Sequence, residues 1–203
     1  MSIGWFDNRP SFLGCEPDGG IGLNFSVLTH VTTNGCELNL NNTVECEGKI
    51  NATTTRLLTA AAHSAGTKVM LGVDFTTKAC TTSGHISKCP ILIPGAVQDG
   101  YVASLVAFVQ THRLDGVEVD YEAFGVGSTD DIKAKKLFTM LLVKIKQALT
   151  ASSRRQQQHD SSSRQQYGDE LQLGVCLASY DRNPFIFVEP QDAVDYYVRS
   201  FAK

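Results

Sequence analysis

Residues 115–122 read Asp-Gly-Val-Glu-Val-Asp-Tyr-Glu. Side chains alternate across a strand, so Val117, Val119 and Tyr121 share one face and Glu118, Asp120 and Glu122 share the other. Helical patterns flank the run on both sides in sequence, which implies a central strand of a parallel sheet. Such strands are covered on both faces and normally read as continuous apolar runs; here one whole face is carboxylate. Successive acids on that face stand about 6.6 Å apart by Cα, at a rise of roughly 3.3 Å per residue. Three carboxyls that close do not all ionise cheaply, and like-charge repulsion raises the pKa of at least one. A carboxylic acid kept protonated near neutral pH is what a general acid requires. The competing reading is an edge strand with a solvated acidic face. The helices predicted on either side argue against it, as does the cost of several kcal/mol for burying an acid without a partner.

Around this run, strand and helix patterns alternate from about residue 25 to 180. Ile3–Phe6 is a short first strand, and residues 7–20, rich in Gly, Pro and Asp, are loop. Phe25–Thr32 is β-branched and apolar and predicts a strand; residues 34–51 predict a loop or hairpin. Leu57, Leu58, Ala61, Ala62 and Ala65 recur at helical spacing within Thr53–Ala65, and Gly66 is a natural stop. Lys68–Phe75 predicts a buried strand and 76–95 a polar loop. Ala96–His112 predicts a helix, Gly116–Tyr121 a strand, and Ser128–Thr150 a long helix that Ser128 or Thr129 would cap ahead of Asp130 and Asp131. Residues 151–168, mostly Ser, Arg, Gln and His, predict a low-complexity surface insertion without order. Leu171–Tyr180 predicts a strand, and Asp192–Phe201 suits strand or helix.

That order predicts parallel βαβ units, closed as a barrel or open as a doubly wound sheet. No Gly-x-Gly-x-x-Gly follows a strand and there is no phosphate loop, so a nucleotide-binding fold has no supporting motif. The 203 residues suffice for one domain but fall short of the roughly 250 of a closed (β/α)8 barrel. A net charge of −3 gives no reason to expect nucleic acid or an anionic membrane as partner. No apolar run approaches the roughly 20 residues of a membrane span. The five histidines (30, 63, 85, 112 and 159) are scattered, without a short-spaced pair or a Cys-x-x-Cys, so no metal site is expected and each reads as a core or surface residue.

Other features point to secretion. Asn24-Phe-Ser, Asn41-Asn-Thr and Asn51-Ala-Thr are glycosylation sequons. Cys36/Cys46 and Cys80/Cys89 are each about ten residues apart in turn-rich sequence, which suits two local disulfides, although spacing alone also allows free thiols. Cys176, in an apolar strand, reads as a packed thiol. The start Met-Ser-Ile-Gly-Trp-Phe has no basic region followed by an apolar one, so the expectation is an extracellular glycoprotein whose signal peptide is missing from this chain.

Asp115–Glu122 resembles the signature of family-18 glycoside hydrolases, Asp-Gly-x-Asp-x-Asp-x-Glu. Ile3-Gly-Trp-Phe, Leu28-Thr-His30 and Lys68–Gly72 are similar, more loosely, to that family's first three strands. The resemblance implies that 1–203 is a partial catalytic domain of that family. The fold would be an incomplete (β/α)8 TIM barrel, with about six of eight strands present and two further strand–helix units beyond Lys203. It implies a monomeric, cofactor-free chitinase-type hydrolase of β-1,4-linked N-acetylglucosamine. Glu122 matches the general acid, and Asp120 the residue that orients the substrate's N-acetyl group. Glu118 stands at the inner acid that pairs with the middle one. Trp5 matches an aromatic that packs against sugar, and equally suits a core position. Glu118 replaces Asp, Tyr121 stands where Trp is usual, and Gly72-Val-Asp-Phe75 replaces Ser-x-Gly-Gly. The stretch from Val194 to Lys203 has no Tyr-Asp pair. These departures keep a second reading open, a non-catalytic chitin-binding or inactive relative.

Overall fold

The structure is a computed structural model. It describes residues 3–6, 24–38, 44–46, 52–74, 89–121, 129–159, 170–179 and 196–201, with side chains described for 24–33, 53–73, 89–120, 133–155 and 170–175. The elements in chain order are β1 (Ile3–Phe6), β2 (His30–Leu38), β3 (Val44–Cys46), α1 (Ala52–Ser64), β4 (Lys68–Asp74), α2 (Ala96–His112), β5 (Gly116–Tyr121), α3 (Thr129–His159), β6 (Gln172–Ser179) and β7 (Tyr196–Phe201).

Six strands lie side by side in the order β1-β2-β4-β5-β6-β7, every pair parallel, and β3 adds antiparallel to the end of β2. Spatial order follows chain order throughout. A doubly wound sheet reverses direction at a switch point; this sheet does not, so the open alternative is excluded in favour of a wall wound in one sense. The wall also curls. His30 on β2 and Gln172 on β6 are separated by β4 and β5, about 14 Å along a flat sheet at roughly 4.8 Å per strand. Yet His30 Nε2 donates to Gln172 Oε1 at 2.9 Å, directly across the concave side. The architecture is an incomplete (β/α)8 barrel.

The two faces differ in kind. Val31, Val69, Leu71, Val73, Val117, Val119, Leu173 and Val175 form the helix-side rows and are buried. They pack with Leu58 and Ala62 of α1, Leu105 and Val109 of α2, and Phe138, Leu142, Ile145 and Leu149 of α3 in one core cluster. At about 1.5–3 kcal/mol per large apolar side chain, this layer holds the helices on the sheet. The alternate residues, His30, Thr32, Met70, Glu118 and Gln172, line the inner side, as the period of two requires.

Several boundaries differ from expectation. The strand expected over Phe25–Thr32 is instead a single 3-10 turn at Phe25–Val27, and β2 starts at His30 and runs to Leu38. Asn24 caps the turn by accepting from Ser26 N–H at 3.1 Å, and Thr67 Oγ1 donates to the carbonyls of Phe25 and Leu28. These local polar contacts outweigh the apolar pattern. The insertion expected at 151–168 is helical as far as His159. Ser152 and Ser153 are buried there: Gln110 Nε2 donates to Ser152 Oγ at 2.6 Å, and Ser153 Oγ accepts from Leu171 N–H at 3.0 Å. Polar composition signalled disorder, but these hydroxyls tie α3 to α2 and to the start of β6. Residues 160–168 lie outside the described set. The hairpin alternative for 34–51 holds, since β2 and β3 pair across it, and 196–201 is strand.

Candidate active site

On the inner face of β5 the residues rise from Gly116 at the amino-terminal end, through Glu118, to Asp120 near the carboxyl-terminal end. In (β/α)8 barrels chemistry is placed at that second end. The floor is tight. A Cβ at Gly116 would lie 2.1 Å from Gln172 O and 2.7 Å from Met70 Cε, so the glycine of the motif is required by close approach of β6 and β4. The His30–Gln172 bond lies in this lowest layer, and His30 Nδ1 is hydrogen-bonded to Thr29 Oγ1 at 2.9 Å, so both ring nitrogens have partners.

One layer higher, Glu118 is fully buried. Thr32 Oγ1 donates to its Oε2 at 2.7 Å. Its other oxygen, Oε1, and Asp120 Oδ1 are buried atoms that accept no hydrogen bond. Asp120 itself is partly exposed. A hydroxyl donor favours the ionised form of Glu118, while burial and the neighbouring acid oppose it. The register adds two facts. Gly72 on β4 and Gly174 on β6 flank Glu118, and Asp74 on β4 stands in register with Asp120. Asp74 carries no signal in the sequence beyond its place at the end of a predicted strand; the register brings it level with the upper acid.

The expected site residues are thus placed unevenly. Glu118 and Asp120 come together on the inner wall. Trp5 lies on β1 in register with Thr32, and its side chain is outside the described set. Glu122 follows the end of β5 and lies outside the described residues. Among the described residues, no three His, Cys, Asp or Glu side chains are grouped to hold a metal ion, and no helix is long and apolar enough to cross a membrane.

Asp115 opens the acidic motif but does other work. Its Oδ2 accepts from Val69 N–H and from His63 Nε2–H of α1, both at 2.7 Å, on the helix side at the floor of the barrel. The hydrogen bond to Asp115 holds the His63 pKa above its ordinary value, against an opposing contribution from burial.

No protein-family model and no curated protein sequence matches this chain. Solved structures do. A class V chitinase from Nicotiana tobaccum superposes with a TM-score of 0.65 at 15% identity, covering 98% of this chain and 51% of the enzyme. A family GH18 chitinase from Cycas revoluta, solved with allosamidin, gives 0.66 at 13% identity, covering 98% and 54%. The Bacillus cereus spore cortex-lytic enzyme SleL gives 0.66 at 14%, covering 98% and 40%. This chain has the fold of the family-18 chitinases. It spans about half the length of the chitinases it matches. The signature-like strand of the sequence is the fourth parallel strand of that wall, counted from β1.

Proposed function

We propose that this protein is a chitinase-type glycosidase that hydrolyses β-1,4-linked N-acetylglucosamine chains with retention, using the substrate's own acetamide as nucleophile. The observation that carries the reading is the inner face of β5: Glu118 buried inside a chitinase-fold wall, with Asp120 next above it toward the carboxyl-terminal end. Among the structural neighbours, a Glu-to-Gln mutant of the Nicotiana enzyme was solved in complex with NAG4, and the Cycas enzyme with (GlcNAc)3. In this reading Glu122 protonates the glycosidic oxygen as the bond from that oxygen to the anomeric carbon breaks. The acetamide oxygen attacks the same carbon, which gives a cyclic oxazolinium ion. Asp120 orients and polarises the acetamide N–H. Water then opens the ring, giving its proton to Glu122, so the acid is regenerated. This is a substrate-assisted exception to the two-carboxylate scheme.

The test is Glu122→Gln. Cleavage of chitotetraose should fall by about 10²–10⁴-fold, the usual worth of a positioned general acid, while oligomer binding persists. Full activity in that variant sinks the assignment. Binding without cleavage in the unaltered protein would favour the lectin-like alternative.

The same reading places the protein outside the cell. Cys89 is buried and disulfide-bonded. Cys36 and Cys46 stand opposite each other in the antiparallel register of β2 and β3. Opposed residues in such a pair have Cα atoms about 4.5–5.5 Å apart, within disulfide range. Asn24, the one sequon asparagine whose side chain is described, is exposed. Mass spectrometry of the secreted protein under non-reducing conditions should find a Cys36–Cys46 cross-link and a glycan; two free thiols at those positions would count against it.

A further inference from the structure

Glu118 is served from across the sheet. Its hydrogen-bond donor, Thr32, belongs to β2, and β4 runs between β2 and β5. Both side chains are fully buried. The β4 residue level with Glu118 is Gly72, and the β6 residue level with it is Gly174. A Cβ at Gly72 would stand 2.8 Å from Thr32 Cγ2 and 2.0 Å from Thr33 O, so a side chain there would push aside the group that holds the acid. Glu has one more side-chain torsion than Asp, and a buried carboxylate with an extra torsion needs a fixed partner to hold one position.

We propose that Thr32 is a positioning residue for the active-site acids: its hydroxyl, reaching through the gap left by Gly72, fixes the Glu118 carboxylate and favours its ionised form beneath Asp120. Among the described residues, the ionisable positions next to Glu118 in the sheet are Asp120 on its own strand, Asp74 of β4 and Cys176 of β6 in register with Asp120, and Glu37 of β2 in register with Asp74. Thr32 of β2 and Trp5 of β1 stand in register with Met70 and Gly116, one step below Glu118 along the inner face. The kinetic half of the proposal rests on the glycosidase reading; the electrostatic half does not.

The experiment compares Thr32→Val, which keeps the shape and removes the hydroxyl, with Thr32→Ser, which keeps the hydroxyl. On chitotetraose, Thr32→Val should lower kcat about tenfold with KM little changed, and Thr32→Ser should recover most of it. The Glu118 carboxyl, followed by ¹³C NMR against pH, should titrate about one unit higher in Thr32→Val than in the unaltered chain, and return in Thr32→Ser. If the unaltered chain cleaves nothing, the glycosidase reading fails and the titration alone decides for or against Thr32. Should Thr32→Val not fold, Thr32→Ser and Thr32→Ala form a smaller pair that differs only in the hydroxyl. An unmoved Glu118 titration, or equal values within the Ser/Ala pair, overturns the proposal.

Discussion

The two ends of β5 carry acids of the same kind within one eight-residue run, and their surroundings differ in every respect that matters. Asp115 precedes the strand on the helix side. It is partly exposed, and its Oδ2 accepts from a backbone N–H of β4 and from His63 of α1. Backbone bonds from Asp115 N–H to Val69 O and from Gln172 N–H to Asp115 O fasten the same residue to β4 and β6. Glu118 and Asp120 point inward, and each has a buried oxygen that accepts no hydrogen bond. An acid whose Oδ2 accepts two hydrogen bonds at the floor stabilises the fold, whereas inward acids held near a barrel mouth cost stability and can supply chemistry. The side of the pleat and the end of the strand decide between the two roles, and residue type does not.

Substitution at the upper end should give the largest effect. Asp120→Asn is expected to reduce chitotetraose cleavage by about 10²–10³-fold, the range seen when a positioned electrostatic group is removed. Its thermal midpoint should equal or exceed that of the unaltered protein, because the repulsion between the Asp120 and Glu118 carboxyls has gone. Next comes Asp115→Ala, which leaves Val69 N–H and His63 without their acceptor. It should cost about 3 kcal/mol in urea unfolding, with kcat per folded molecule unchanged. If Asp115→Ala lost cleavage at full stability, or Asp120→Asn lost stability at full cleavage, the contrast between the two ends would collapse.

How much of this was legible depends on where the deciding contacts lie. The bounds of α2 and β5 match the sequence reading because periodicity and flanking residues set them locally. The inward face of acids is likewise visible from the period of two. The turn at Phe25–Val27 was not, since Thr67, far along the chain, helps fix its carbonyls. Nor was the helical course of 151–159, where the buried hydroxyls of Ser152 and Ser153 serve residues on other elements. Thr32 gave no signal within a β-branched run. Its role depends on a curl that brings β2 opposite β5, and curl is a property of the whole wall. The period of two puts Asp115 on the face of Val117 and Val119, but its partners His63 and Val69 lie on other elements and gave no signal in the sequence.

A smaller effect sharpens the lower end through pH. His63 titrates above its ordinary value because of its hydrogen bond to Asp115. A raised folded pKa means that its stabilisation is fully present below the unfolded value of about 6.5 and is lost as pH rises through the folded value. His63 is a third exposed, so screening limits the contribution to roughly 1 kcal/mol or less. His112 works in the opposite sense, since burial lowers its pKa and its protonation opposes folding. The difference between the unaltered protein and His63→Gln removes that background. Measured by thermal unfolding from pH 5.5 to 8.5, it should shrink as pH rises, with cleavage per folded molecule unaffected. A difference that grew with pH would mean that His63 is not held by Asp115.

The smallest expected effect lies just before Asp115, where Arg113 ends α2 with φ 55° and ψ 40°, the left-handed region. A side chain there costs about 1 kcal/mol relative to glycine, partly offset by the greater freedom glycine gives the unfolded chain. The backbone bonds at this turn, from Arg113 N–H to Gln110 O and from Leu114 N–H to Val109 O, do not need the guanidinium. Arg113→Gly should therefore raise stability by about 0.5 kcal/mol, read as a small upward shift of the urea midpoint at constant slope. Cleavage should not change, because the turn is on the floor side of β5. A loss of cleavage in Arg113→Gly would mean that the geometry of the floor is transmitted along the strand to Glu118 and Asp120, and the two ends could no longer be treated as independent.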